Sequence, residues 1–442
     1  MDDELGHFEH SPRSEITKPY RFEVRWRAVD EDLRRYVNEL RIKLGQHEQR
    51  KRARRASDLA KFDRVIEVLC CNVVAVRLAG LAPRSFAILR ANYASSVSPI
   101  YGAHFRQVVM LMEEMGLITQ RRGSRHSKRD RFPSTITPSA DFLTWLPAIE
   151  GWEALRLENG PAIVLNKGED AERELPELDY EWFARAEKEV ATINASIRDM
   201  PLGDYPDELA HVAAMHRALS DIVRTPLHRS VWRAFKPDYE QGGRLYGGYW
   251  ETMPRAERFR LLRIEGAQVV NVDYGQLFLR LAYASMRALP PDGDLYDLTG
   301  RDHLRPDWPR LREGRKRLVN AIIASKKILK HWPGDTPSEC SAVRRMFPEG
   351  TKPIDEDRAI KARHHAIAEE WLGRSRIGEL MRRESDLLVA VLLRLIGMGV
   401  TALPLHDSVI VAQRHGGTAK LVMEEEALRL IGVLIPVKID TG

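Results

Sequence analysis

From Phe62 to about Leu81 the apolar residues Val65, Ile66, Val68, Leu69, Val73 and Val74 recur at helical spacing. This predicts a buried helix that carries Cys70 and Cys71 in its core. A second stripe, Phe105, Val108, Val109, Leu111, Met112 and Met115, stops at Gly116. It predicts a helix closed by a glycine cap. Short strands are expected at Leu117–Gln120 and at Thr135–Pro138, with a basic, glycine-containing stretch between them. Residues 1–57 are highly charged with sparse apolar positions, which predicts helical segments and a partly mobile arm. Residues 151–235 carry mixed helical patterns and an acidic stretch, Glu169 to Glu181, broken at Pro176. They are expected to form a helical connector or subdomain.

From Gln241 the texture changes. Gly242-Gly243-Arg244-Leu245-Tyr246-Gly247-Gly248 suggests a glycine-rich loop, where backbone approaches a ligand closely. Val269, Val270 and Val272 predict a buried strand ending at Asp273, after which the period turns helical. Arg312, Lys316 and Asn320 are four apart and align on one helix face. Near the end, two apolar runs of strand length flank His406-Asp407-Ser408, which predicts a hairpin with Asp407 at its tip or bulge. No internal repeat is present.

A chain of 442 residues accommodates two to four domains, each with its own core. No run approaches a membrane span and the amino terminus is polar and acidic, so no membrane partner and a cytoplasmic location are expected. Three cysteines, two of them adjacent, exclude a disulfide framework and any familiar zinc spacing. A net charge of +6 is compatible with a polyanionic partner. Its distribution says more, because basic runs at Arg50–Arg55 and Arg121–Arg131 fall in one half of the chain. Helix, Gly-Leu-Ile, basic hairpin, returning strand resembles a winged helix-turn-helix. That resemblance implies a helix in a DNA groove and Arg121, Arg122, Arg125, Lys128 and Arg129 along the phosphates.

Taken singly, Asp273 reads as a helix cap, Asp407 as a turn residue, and the Arg312 face as a solvated surface. Their order changes the reading. A strand-end Asp, a basic helix and a His-Asp hairpin resemble motifs A, B and C of the family A DNA polymerases and the related single-subunit RNA polymerases. Family motif A reads Asp-Tyr-Ser-Gln-Ile-Glu-Leu-Arg, against Asp273-Tyr274-Gly275-Gln276-Leu277-Phe278-Leu279-Arg280 here. Motif B needs an Arg and a Lys four apart, matched by Arg312 and Lys316. Motif C is His-Asp-Glu or His-Asp-Ser, matched by His406-Asp407-Ser408. A Gly-Arg-Leu element precedes motif A in the family, matched by Gly243-Arg244-Leu245. A strand over Val409–Ala412, a helix over Ala419–Ile431 and a strand at Ile435–Ile439 would close the sheet.

The resemblance implies an α+β fold: a polymerase palm with an antiparallel sheet and small helical fingers over residues 236–442. Before it would come a charged helical arm (1–57), a winged-helix domain (58–150) and a connector or thumb-like subdomain (151–235), a mostly helical amino-terminal half. It implies two magnesium ions, or manganese in their place, held by Asp273 and Asp407 about 3.5–4 Å apart. His406 would sit by the primer terminus. Arg312, Lys316, Asn320, Tyr274 and Phe278 would meet the nucleoside triphosphate, and Arg244, Gln276 and Arg280 a DNA primer–template or single strand.

Two positions depart from the family. Ala324-Ser325 replaces the Tyr-Gly or Phe-Gly that ends motif B and positions the template. Phe278 stands where the family has a small or acidic residue, and its ring would exclude a ribose 2′-hydroxyl. The expectation is therefore a compact DNA polymerase of a mobile element. The alternatives are a ribonucleotide-using primase or RNA polymerase, a replication initiator with an inactive palm, and template-free tailing.

Overall fold

A computed structural model of the chain describes residues 19–79, 84–88, 98–123, 133–165, 179–198 and 227–442. They fall into two compact units, residues 1–159 with 205–228, and residues 160–204 with 229–442. Mixed helices and mostly antiparallel sheets make the chain α+β. Among the described residues no helix is long and apolar enough to cross a membrane.

The first unit holds strands β1 (Tyr20–Arg21) and β2 (Trp26–Ala28), then helices α1 (Glu31–Glu48) and α2 (Ala56–Leu78). After strand β3 (Phe86–Ile88) come helix α3 (Ala103–Glu114) and strands β4 (Ile118–Arg121), β5 (Ser134–Pro138) and β6 (Leu155–Leu157). One sheet runs β1-β3-β5-β4, and β2 pairs separately with β6. Of the expected arm, residues 1–18 lie outside the described residues, and the rest contributes side chains to this core. Leu33, Leu40 and Leu44, spaced by seven and four, are fully buried with α2, so the charges of α1 occupy only its outer faces. Asp30 caps the helix by accepting from the Leu33 amide at 2.8 Å. The stripe of α3 is buried and ends in the expected cap: Gly116 is left-handed (φ 70°), and the Leu117 amide reaches back to Met112 at 2.8 Å. The expected helix–strand–strand order is present, with β4 and β5 antiparallel. Arg121 and Arg122 are exposed at the end of β4. Arg125, Lys128 and Arg129 lie outside the described residues.

The second unit begins with strand β7 (Ile163–Leu165) and helix α4 (Tyr180–Arg198), and the expected helical connector, residues 151–235, contains three strands, at Leu155–Leu157, Ile163–Leu165 and Trp232–Phe235, besides its helix. Strands β8 (Trp232–Phe235) and β9 (Gly242–Tyr246) follow and form the sheet β7-β8-β9. The glycine-rich segment is therefore a bulged strand rather than a ligand loop. Gly242 and Gly243 have φ of 84° and 81°, opposite a register shift at Ala234/Phe235. A Cβ on Gly243 would lie 2.7 Å from Cε1 of Phe235. Gly243→Ala should thus cost about 1–3 kcal/mol, read as a lower urea midpoint at unchanged slope. An unchanged midpoint would show that the bulge tolerates a side chain.

Next come strands β10 (Arg263–Ile264) and β11 (Ala267–Tyr274) and helices α5 (Leu277–Ser285), α6 (Trp308–Ala324) and α7 (Ile377–Gly397). The chain closes with β12 (Ala402–Leu405), β13 (Ser408–Ala412), helix α8 (Gly416–Ile431) and β14 (Val437–Asp440). In the central sheet β11 lies between β13 and β14, antiparallel to both, and β12 pairs with β13. One face of β11, Val270, Val272 and Tyr274, is buried, and α8 packs on this strand. Two buried polar links hold the surrounding elements. Arg233 donates to Gly243 O (2.9 Å), Ser385 (3.1 Å) and Asp386 (2.6 Å), fixing β9 to α7. The Trp250 indole donates to Pro404 O at 2.7 Å, fixing β12.

Candidate functional site

Period-2 alternation puts Val269, Asn271 and Asp273 on the face of β11 opposite Val270, Val272 and Tyr274. Asp273 pairs with Ser408 on β13 and with Lys438 on β14. Because Leu405 and Ser408 pair with each other, His406 and Asp407 form a two-residue turn, and Asp407 directly precedes the partner of Asp273. His406 takes the left-handed conformation (φ 57°) that such tight hairpins demand. The Ser408 hydroxyl donates to Leu405 O at 2.8 Å and lies 2.9 Å from Asn271 Oδ1, which ties the hairpin tip to β11.

Burial and then the like charge of Asp407 push the Asp273 carboxyl up to about 7, with Glu384 adding to the rise and Lys316 and Lys438 opposing it. The pair is thus short of positive charge. Among the described residues no group of three or more His, Cys, Asp or Glu side chains is placed to hold a metal. Two half-buried carboxylates nevertheless fit a hard cation that keeps water and substrate oxygens as its other ligands.

Beside the dyad, Arg244 on β9 makes a bidentate pair with Glu384 of α7 at 2.7 and 2.8 Å. Its guanidinium lies 5.5 Å from the centre of the Phe278 ring. Glu384 is only 1% exposed. Burial carries its carboxyl to about 7 against the pull of Arg244, and the charge of Asp407 adds to the rise. Burial, followed by Arg244 and Arg258, lowers His406, while Asp407 opposes. Arg244, Glu384, His406 and the two aspartates therefore share one electrostatic neighbourhood.

On α6, the buried side carries Leu311, Leu318, Ile322 and Arg315, the last paired to Asp302 (2.6 Å) and Glu356 (3.0 Å). The other side carries Arg312, Lys316 and Asn320. Lys316 is exposed, yet its charge reaches Asp273. Arg312 Nε donates to Asp294 at 2.5 Å, and its guanidinium lies 5.1 Å from the Tyr296 ring centre. Asn320 is half-buried one turn beyond Lys316.

The fold thus gathers Asp273, Asp407, His406, Arg244 and Lys316, with Phe278 against Arg244. It separates Tyr274 from them: that side chain is 2% exposed and its hydroxyl donates to Met423 O at 2.6 Å, on the α8 side. Adjacent strand residues face opposite ways, so Tyr274 lies on the opposite face of β11 from Asp273. Gln276 and Arg280 are bound to each other at 3.2 Å, and Gln276 also donates to Asp294 at 2.6 Å. Both side chains are half-buried. Glu384, Asp294 and Lys438 had no local sequence signal; only the strand pairing across Asp273 would have pointed to Lys438.

The sequence matches no protein-family model and no curated protein sequence. Among solved structures it is similar to the POL domain of Pol1 from M. smegmatis, in complex with DNA primer-template and dNTP. That match has 13% identity and covers 92% of this chain and 68% of the other, with a TM-score of 0.31.

Proposed function

We propose that the chain is a nucleotidyltransferase, a compact DNA polymerase whose palm is the β14-β11-β13-β12 sheet. One observation carries the reading: the strand register sets Asp273 beside the hairpin tip that presents Asp407, on the face turned away from α8. Phosphoryl transfer asks a protein for positioning and charge stabilisation more than for covalent chemistry. Asp273 and Asp407 would hold magnesium. Bound there, the metal supplies Lewis-acid activation of a primer 3′-hydroxyl and neutralises the leaving pyrophosphate. The protein's own contribution is orientation. Lys316 and Arg312 would grip the triphosphate from one helix face, and Arg244, anchored by Glu384, would meet the duplex next to His406. Phe278 stacked on Arg244 presents a rigid apolar wall, which favours deoxynucleotides over ribonucleotides.

The direct test incubates the full chain with labelled primer–template, magnesium, and deoxynucleotides or ribonucleotides in turn, beside an Asp273→Asn, Asp407→Asn double variant. Template-directed extension by the wild type alone supports the reading. Equal inertness of both proteins under every condition would sink it, and extension without template would make the enzyme a tailing transferase. For the amino-terminal unit we propose a winged-helix DNA-binding domain, supported by the α3-β4-β5 order and the exposed Arg121 and Arg122. Reversing the charge of Arg122, Arg125 and Arg129 should then weaken DNA binding and flatten its salt dependence by up to about three phosphate contacts. An unaltered salt slope would remove this domain from the proposal.

A further inference from the structure

Arg312 and Lys316 leave the placement of the gripping cation unexplained, because an arginine side chain on a surface helix has many rotamers. Asp294, in the loop between α5 and α6, resolves this. Its Oδ2 takes the Arg312 Nε–H at 2.5 Å, while its Oδ1 accepts from Gln276 Nε2 at 2.6 Å and from the Tyr296 amide at 2.9 Å. Gln276 in turn is held by Arg280 at 3.2 Å and follows Asp273 by three residues. The carboxylate is thus fixed at Oδ1 by its own loop and by the segment that carries Asp273, which leaves Oδ2 aimed at Arg312. It engages Arg312 at one nitrogen only. Among the described residues, no partner takes the two terminal nitrogens of Arg312, and the guanidinium lies against the Tyr296 ring. An arginine held at Nε keeps its Nη edge for a bidentate anion. The pair is also accessible, with side chains 28% and 25% exposed.

We propose that Asp294 is a positioning residue: it locks Arg312 by Nε so that the Nη edge is preset for the phosphates of an incoming nucleoside triphosphate. The proposal rests on the nucleotidyltransferase reading of the same site. It excludes the opposite arrangement, in which Asp294 competes with the triphosphate for Arg312.

The test is a double-mutant cycle on the full chain, read as equilibrium binding of a fluorescent deoxynucleoside triphosphate with magnesium, and separately as KM and kcat for extension. Asp294→Asn keeps the shape and removes the charge. It should weaken triphosphate binding and raise KM about tenfold, leaving primer–template affinity unchanged. In an Arg312→Ala background the same change should have no further effect. Arg312→Lys retains a cation without the Nε–H, so it should lose as much as Asp294→Asn, and it provides the measurement should Asp294→Asn fail to fold. Additive losses across the cycle, unchanged or tighter binding in Asp294→Asn, or a loss under threefold in Arg312→Lys would each overturn the proposal. Wild type that binds no triphosphate would overturn it together with the polymerase reading. The complete cycle without any synthesis would leave the positioning role standing and overturn only the polymerase.

Discussion

Asp273→Asn and Asp407→Asn should each lower primer extension by at least about a thousandfold while leaving primer–template binding within a few-fold. The size follows from the proposed chemistry: each substitution would remove a charged oxygen ligand of the metal, and preorganised charge stabilisation is the main device available for phosphoryl transfer. Their stability effects run the other way. Asp273 has its carboxyl raised from 3.8 to about 7 by burial and by Asp407. A carboxyl raised on folding disfavours the folded state once it must ionise. The penalty is absent below about pH 4, grows between about pH 4 and 7, and is complete above. At about 1.4 kcal/mol per unit the ceiling is about 4 kcal/mol, and residual solvent access reduces it to about 2–3 kcal/mol. The cation-free Asp273→Asn protein should therefore melt higher than wild type at pH 8 and match it near pH 4. Magnesium should stabilise wild type and leave the variant unmoved. Equal melting temperatures at pH 8, or an equal magnesium shift in both proteins, would contradict a destabilised metal-binding dyad.

The legible part of this site was whatever had a local pattern. The run Val269–Asp273 announces a strand ending in a carboxylate, and two apolar runs around His406-Asp407 announce a hairpin. Their pairing explains why the two aspartates meet. The same strand logic, carried one residue further, separates Tyr274 from Asp273, since neighbours on a strand face opposite sides. Gly242 and Gly243 looked like a loop because glycine signals positive φ, and a bulged strand demands that conformation equally. Glu384 is one acid within an amphipathic helix, and Asp294 one acid in a loop rich in Pro, Gly and Asp. Each acquires its role only from partners well removed in sequence, Arg244 for Glu384 and Gln276 and Arg312 for Asp294. No spacing rule reaches across such separations, because the contacts are made by packing rather than by the period of an element.

The Arg244–Glu384 pair should be as costly to break as the dyad is to inactivate, and the two halves should fail differently. Glu384→Ala leaves a guanidinium 18% exposed beside an apolar ring, with no carboxylate on its fork. Arginine keeps its charge at every accessible pH, so the cost should be about 3–5 kcal/mol at pH 5. It should shrink towards pH 8, because only wild type carries the Glu384 carboxyl that burial raises from 4.5 to about 7 and that destabilises the fold as it ionises. Arg244→Ala instead leaves a buried carboxyl that already titrates near 7, because burial outweighs the arginine. At pH 5 that carboxyl is protonated and loses only its hydrogen bonds, a cost of about 1–2 kcal/mol. Above pH 7 the paired carboxyl of wild type ionises and draws on the arginine, whereas the orphaned one must stay protonated or carry an uncompensated charge. The deficit of Arg244→Ala should therefore widen as pH rises through 7. Urea titrations of both variants at pH 5 and pH 8 separate these cases. Equal costs for Arg244→Ala at the two pH values, or a Glu384→Ala cost below about 1 kcal/mol at pH 5, would show that the pair is not the anchor of β9 on α7. Glu384→Gln keeps the shape and one of the two accepting oxygens while losing the charge, and should fall between wild type and Glu384→Ala. Retained extension in Glu384→Gln together with its loss in Arg244→Ala would assign the catalytic contact to the guanidinium and leave Glu384 the role of holding it.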